Sequence, residues 1–259
     1  MMMMHNRIVT RDEWLAARKA HLAREKELTR QRDQVSAERR ELPWVKVEKP
    51  YVFDSPAGKE TLADLFDGRS QLIVKHFMLG PGWTEGCVGC SFEVDHIEGA
   101  LVHLEHHDVS YVVVSRAPLP EIEAFKRRMD WRCKWVSSYG SDFNYDFHVS
   151  FEPDEIQNGE VYYNYEMRKV GIEELSGRSV FYKDANGDVF HTYSSYGRGG
   201  DLMLGTYNIL DLMPKGRNET GPNHNLTDWV RHHDRYDSGG HVAPTGRYVP
   251  TSSAAGTGS

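Results

Sequence analysis

The chain has 259 residues, 39% of them hydrophobic, with a formal charge of -7 and a pI near 6.0. That composition suits a soluble globular protein with one sizeable core or two small ones and excludes a nucleic-acid-binding surface covering the whole molecule. The apolar runs "LIV" and "YVVV" are far too short to cross a bilayer, and "MMMMHNRIVTRDEW" lacks the apolar stretch of a signal peptide. A cytoplasmic protein with neither membrane nor nucleic-acid partners is expected.

In chain order, Thr10 and Glu13 form a capping box for a helix running to about Arg40. Its stripe of Trp14, Leu15, Leu22, Leu28 and Val35 is too sparse for a buried helix. Residues 1–42 therefore read as a helical arm, lying on the body or pairing two subunits of a homodimer. Pro43 and Pro50 break it. A short helix with Leu62, Leu65 and Phe66 leads through Gly68 into "QLIVKHFML", the pattern of a central strand buried on both faces. After "GPGWTEGCVGC", Phe92, Ile97, Ala100, Leu101 and Leu104 recur at helical spacing. "VSYVVVSRA" is a second buried strand, and Pro118 opens a further helix. This β-α-β-α order implies parallel strands with right-handed crossovers.

Residues 137–175 lose that pattern. They are aromatic and rich in Asn and Asp, and read as an insertion packed by its own rings. Tyr139, Phe143, Tyr145 and Phe147 make it a candidate lid or pocket wall. Two β-rich runs then flank Asn186-Gly187, a strong hairpin signal, and "DLMLGTYNILDLM" reads as a closing helix. Residues 237–259 have the composition of a disordered tail.

Cys87 and Cys90 stand between the central strand and the following helix, with Cys87 at the helix N-terminus. A free thiol is only about 3% ionised at neutral pH, and a helix N-terminus shifts its pKa by less than about one unit. Strong activation needs a cation or more donors; Thr84 and Arg178 are the candidates. CxxC beside a βαβ pattern in a reducing compartment is a redox signal, with Cys87 attacking and Cys90 resolving. A metal site and a pair of small buried side chains are the alternatives.

The stretches "LFDGRSQLIVKHFMLGPGWTEGCVGCSF", "VVVSRAPLPEIEAFKRRMDW", "WVSSYGSDFNYDF" and "SVFYKDANGDVFHTYSSYGRG" together resemble a widespread thioredoxin-like family whose members are described as predicted dithiol-disulfide oxidoreductases. The resemblance covers residues 43–236. It implies an α/β thioredoxin-like fold, carrying the helical arm and the aromatic insertion, with Cys87 and Cys90 as the family's cysteine pair. It supplies no substrate; the redox reading of the cysteine pair itself leads to the expectation of a thiol, disulfide or peroxide substrate, a cellular reductant and no required cofactor. A weaker likeness to peroxiredoxins lies in "PGWTEGC" and "GRSVFYKDANGDV". It implies roles for Thr84 and Arg178 beside Cys87. "EELSGRSVF" lacks the cis-proline that thioredoxins carry before the facing strand, which favours a small oxidant or a specialised substrate over general protein disulfides.

The competing reading is a Cu or Zn site on the same fold. Soft thiolates from Cys87 and Cys90 with an imidazole from His191 or His76 suit either metal. Cys133 reads as packing.

Overall fold

A computed structural model describes residues 6–251. The first and last residues of the chain, including the end of the expected tail, lie outside the described residues. The chain divides after Pro43 into two compact units. The first consists of α1 (Arg11–Arg40). The Thr10 hydroxyl accepts the Glu13 N–H at 3.3 Å and the Glu13 carboxylate accepts the Thr10 N–H at 2.9 Å, so the capping box closes two otherwise orphaned donors. Asp12 and Glu13 in the first turn, and Arg39 and Arg40 in the last, suit the helix dipole.

The second unit is built on one eight-stranded sheet. It begins with β1 (Val45–Lys46) and the antiparallel pair β2 (Val52–Ser55) and β3 (Gly58–Thr61). The run "QLIVKHFML" supplies β4 (Gln71–His76), followed by α2 (Val88–Glu98) and α3 (Leu101–Glu105). The single helix expected over residues 91–108 is thus two, broken at Gly99. Then come β5 (Val109–Ser115), α4 (Leu119–Arg128) and β6 (Lys134–Ser137). The insertion holds α5 (Phe143–Asp146), α6 (Pro153–Gln157) and the small hairpin β7 (Val161–Tyr163) and β8 (Glu166–Arg168).

β9 (Gly177–Lys183) and β10 (Val189–Tyr196) pair around Asn186-Gly187. There Asp184 Oδ1 accepts the N–H groups of Asn186 and Asp188 at 2.9 Å each, and Gly187 takes the left-handed conformation at φ 88°. The closing helix is short, α7 (Gly205–Leu210), because a 3-10 stretch takes up residues 197–203. Part of the segment expected to be disordered carries a hairpin, β11 (His241–Val242) and β12 (Tyr248–Val249).

The strand order is β1-β10-β9-β4-β5-β6-β2-β3. β4, β5 and β6 run parallel, whereas β9 lies antiparallel against the other edge of β4. This is the thioredoxin-like arrangement that the resemblance implied. The two crossovers step the same way along the sheet, so one handedness places α2 and α4 on one face. The core there joins Cys90 and Val94 of α2 and Ile122, Phe125 and Met129 of α4 to Phe77, Tyr111, Val113 and Trp135. The opposite face receives no crossover helix. It is closed by Phe53, Leu65, Phe66 and the insertion's Phe143, with Phe147 at its margin.

His76 lies within this second face at 1% exposure, stacked on Phe143 and Phe147. Burial, the largest cause, pushes its imidazole down to about 3 from an ordinary 6.5. Between those pH values the unfolded chain binds a proton that the folded protein does not, so stability rises with pH across the window and is lost on acidification through it. Urea midpoints measured at pH 7 and pH 5 are expected to fall on acidification, and less steeply in His76→Gln. An equal fall in both proteins would remove His76 from this account.

Candidate active site

α2 begins at Cys87 because Cys87 is its cap. The Cys87 backbone is extended, its sulfur accepts the Cys90 N–H at 3.4 Å, and its carbonyl accepts the Ser91 N–H at 3.0 Å. Its own N–H donates to the Met78 carbonyl at 3.2 Å, tying the helix start to the segment just past β4. The pair therefore sits beyond the carboxyl end of the central strand, where open α/β sheets carry their ligands. Gly86 makes the approach feasible: a Cβ there would fall 2.7 Å from the Phe77 ring and 3.0 Å from that of Phe125. Both cysteines are free thiols, Cys87 at 8% exposure and Cys90 at 2%.

A buried charge cluster lies beside them. Lys75 and Arg178 are direct partners across β4 and β9, so their side chains leave the sheet on the same face. Two like charges side by side are unfavourable, and Glu93, one turn after Cys90 on α2, joins them. Its Oε2 accepts Lys75 Nζ at 2.9 Å, its Oε1 accepts Arg178 Nε at 2.9 Å, and Arg178 Nη2 donates to Oε2 as well. Arg178 Nη1 also donates to the Gly197 carbonyl at 3.4 Å. The guanidinium fits only because residue 200 is glycine, where a Cβ would fall 2.0 Å from Cζ. All three charged residues are buried.

Two cations and one carboxylate leave one positive charge uncompensated among buried side chains, a surplus that favours the ionised form of a neighbouring thiol. Burial pushes the Cys90 thiol up, but the Cys87 thiol that donates to it and the Lys75 ammonium pull it down to about 6. Cys87 is pushed well up, first because it is the donor in that hydrogen bond and then by burial. The two sulfurs thus ionise one after the other, as a pair.

Each residue singled out in the sequence has a defined place. Arg178 reaches the site, but its guanidinium is held by Glu93 and it acts on Cys90 rather than on Cys87 directly. Thr84 is exposed and lines a separate cleft with Trp83, Glu121 and Arg128. His76 and His191 are on the opposite face of the sheet. A chain of hydrogen bonds joins them, from His76 Nε2 to Ser179 Oγ at 2.9 Å, to Ser194 Oγ at 2.8 Å and to His191 Nε2 at 2.8 Å. The ligand set expected for Cu or Zn is therefore not assembled, since the sheet separates both imidazoles from the thiols. Among the described residues no group of three or more His, Cys, Asp or Glu is placed to hold a metal ion.

Cys133 is buried, with its N–H on Glu98 Oε1 at 2.8 Å, and burial pushes its thiol up. The insertion meets the thiols only at its end, where Leu175 lines their cavity and Ile172 packs against the core that holds them; its aromatic rings lie elsewhere. Phe143 and Phe147 pack under the far face, and Val149, Phe151, Val161 and Tyr163 form a satellite core with Tyr196.

Sequence reasoning missed Lys75 and Glu93. The signal for Lys75 was a lysine inside a run buried on both faces, which is stable there only when paired. For Glu93 it was the i+3 spacing from Cys90. It also missed the chain that covers the site. Pro244, Thr245 and Gly246 line one side of a cavity of about 290 Å³ shared with Lys75, Cys87, Cys90 and Arg178.

Strand order, helix start and thiol pair together define a thioredoxin-like domain with a dithiol at the end of its central strand. Residues 3–236 match the model of the family described as "Bacterial protein of unknown function (DUF899)", and the chain belongs to that family. No curated protein is similar to it in sequence. Among solved structures it is similar to peroxidoxin BcpB from Mycobacterium tuberculosis, at 13% identity and a TM-score of 0.41, covering 65% of this chain and 97% of the other. A cysteine-to-serine variant of peroxiredoxin Q from Xanthomonas campestris gives 11% and 0.41, covering 65% and 98%. A putative protein disulfide isomerase from Bacteroides thetaiotaomicron gives 17% and 0.37, covering 66% and 92%.

The tight approach at Gly86 is directly testable. Gly86→Ala is expected to cost about 1–3 kcal/mol of stability, as overpacking of a filled core does, measured as a lowered urea midpoint with unchanged slope. A neutral result would show that the Phe77 and Phe125 rings move aside freely.

Proposed function

We propose that this protein is a thiol-disulfide oxidoreductase of the reducing cytoplasm that reduces peroxides or small disulfides with the Cys87–Cys90 pair. The observation that carries this reading is the buried Lys75–Glu93–Arg178 cluster, one negative charge short of neutrality, beside two free thiols at a helix N-terminus. Cys87 is the more accessible sulfur and is assigned the attack. Cys90, hydrogen-bonded to it as the thiolate, takes its proton as the attack proceeds.

With a peroxide, the Cys87 sulfur bonds to one oxygen, the O–O bond breaks, and the other oxygen leaves as alcohol or water with the proton that Cys90 had taken. Cys90, a thiolate again, then attacks the resulting sulfenic acid, the S–O bond breaks, and hydroxide leaves as water with a proton from solvent. With a small disulfide, Cys87 forms a mixed disulfide that Cys90 displaces, releasing two thiols. In each case two electrons pass from the dithiol to the oxidant, and a cellular thiol reductant restores the pair. No cofactor takes part. The exposed apolar stripe of α1 is assigned to contact between two copies of the chain.

Oxidation to a disulfide removes the thiolate and leaves the buried positive charge unmatched. The reduced form is therefore favoured relative to a pair without that charge, which raises the reduction potential of the disulfide. That supports a peroxide or a small disulfide over structural protein disulfides, which have low potentials.

The test is a titration of the dithiol against a glutathione redox buffer, with turnover measured on hydrogen peroxide and on a small disulfide. A pair that never forms an intramolecular disulfide overturns the reading. Thiolate absorbance should titrate with a midpoint near about 6, and Lys75→Met should raise that midpoint by about one unit or more and make the dithiol more reducing.

A further inference from the structure

The segment lining this side of the cavity lies outside the family match, which ends at residue 236. It is nonetheless well anchored. The inward residues of the β11–β12 hairpin, Val242 and Tyr248, pack with Val88 and Phe92 of α2. The Tyr248 hydroxyl hydrogen-bonds Ser238 Oγ at 2.8 Å and accepts the Gly240 N–H at 3.2 Å. Between the strands the chain turns tightly, with Ala243 N–H on the Arg247 carbonyl and Gly246 N–H on the Ala243 carbonyl, both at 2.9 Å.

The tip of this turn is bound to the cysteine loop itself. The Val88 N–H, one of the donors that the start of α2 leaves free, donates to the Gly246 carbonyl at 2.9 Å. Cys87 and Arg247 are bridged as antiparallel partners. The Arg247 guanidinium lies 4.4 Å from the centre of the Trp83 ring, within the loop before Cys87. Gly246 has φ 83°, and a Cβ there would fall 3.3 Å from the Cys87 sulfur. Backbone without a side chain therefore lies against the sulfur assigned the attack.

We infer that residues 244–247 are a specificity-determining strap, which admits low-molecular-weight oxidants to Cys87 and excludes the disulfides of folded proteins. A protein disulfide must bring extended chain on both sides of its sulfur up to Cys87, and the strap holds that ground, including the Val88 amide. A peroxide or small disulfide needs only the cavity of about 290 Å³ beneath it. This selectivity rests on the proposed oxidoreductase reading; the shielding of Cys87 does not.

The experiment uses the full chain and two substitutions that release the strap. Tyr248→Ala removes the ring that packs the hairpin on Val88 and Phe92, and Arg247→Ala removes the contact with Trp83. Modification of Cys87, located by peptide mass spectrometry, is timed with iodoacetamide and with a polyethylene-glycol maleimide; turnover is timed with hydrogen peroxide and with insulin disulfides. The ratio of bulky to small modification is expected to rise about two- to fivefold in Arg247→Ala and by about tenfold or more in Tyr248→Ala. Insulin turnover should rise with it while peroxide turnover stays near the original. Should Tyr248→Ala fail to fold, Arg247→Ala decides alone. Equal modification ratios in the original and released proteins overturn the strap. A raised ratio with no turnover of any oxidant keeps the shielding and overturns the oxidoreductase reading instead.

Discussion

Three side chains from three elements meet under the thiols, and the geometry of the site follows from how they meet. Lys75 on β4 and Arg178 on β9 are forced together by strand register, and Glu93 on α2 makes that pairing tolerable. The same contacts dock the first turns of α2 against the sheet, and so set where Cys87 and Cys90 come to rest. A buried ion group is a poor source of net stability, because desolvation of each charge offsets most of the attraction. Its worth here is positional and electrostatic: it orients a helix and sets the charge that the sulfurs must balance.

The two faces of the sheet divide the remaining work. Crossover helices cover one face and bring the chemistry with them. The other face would expose Leu72, Val74, Val112 and Val114 to water, and Phe143 and the loops before β4 cover them instead. The long insertion is explained by that need. Its first helix, α5, and the Phe147 that follows complete a second hydrophobic layer where the topology supplies no helix, while the hairpin packs in a satellite core with Tyr196; the histidines of the central strands end up in the second layer as packing.

Much of this was legible in the sequence. The run ending in "KHFML" announces a strand buried on both sides, Asn186-Gly187 announces the hairpin, and CxxC between strand and helix announces the dithiol. Helix ends were less so: Gly99 divides one expected helix in two, and a 3-10 stretch shortens the last. Which side of a strand a residue occupies depends on register, and His76 and Lys75 show the cost of not knowing it. Adjacent in the chain, they point to opposite faces, and the residue with the more obvious chemistry is on the wrong one. The cover over Cys87 was invisible for a different reason. "HVAPTGRYV" has no long apolar run and is interrupted by a proline and a glycine, and its order comes from α2 and Trp83, which composition cannot report.

Gly200 ties the backbone after β10 to the electronics of a sulfur on another element. Any side chain at that position competes for volume with the Arg178 guanidinium. Positions 178 and 200 are therefore expected to vary together in related chains: a larger residue at 200 would accompany a shorter one at 178. Such a relative would keep Lys75 and Glu93 as a neutral couple, and its thiols would relax toward ordinary acidity. Redox character in this fold can thus drift through a position that touches neither cysteine, and two relatives with identical CxxC loops can differ in the oxidants they serve.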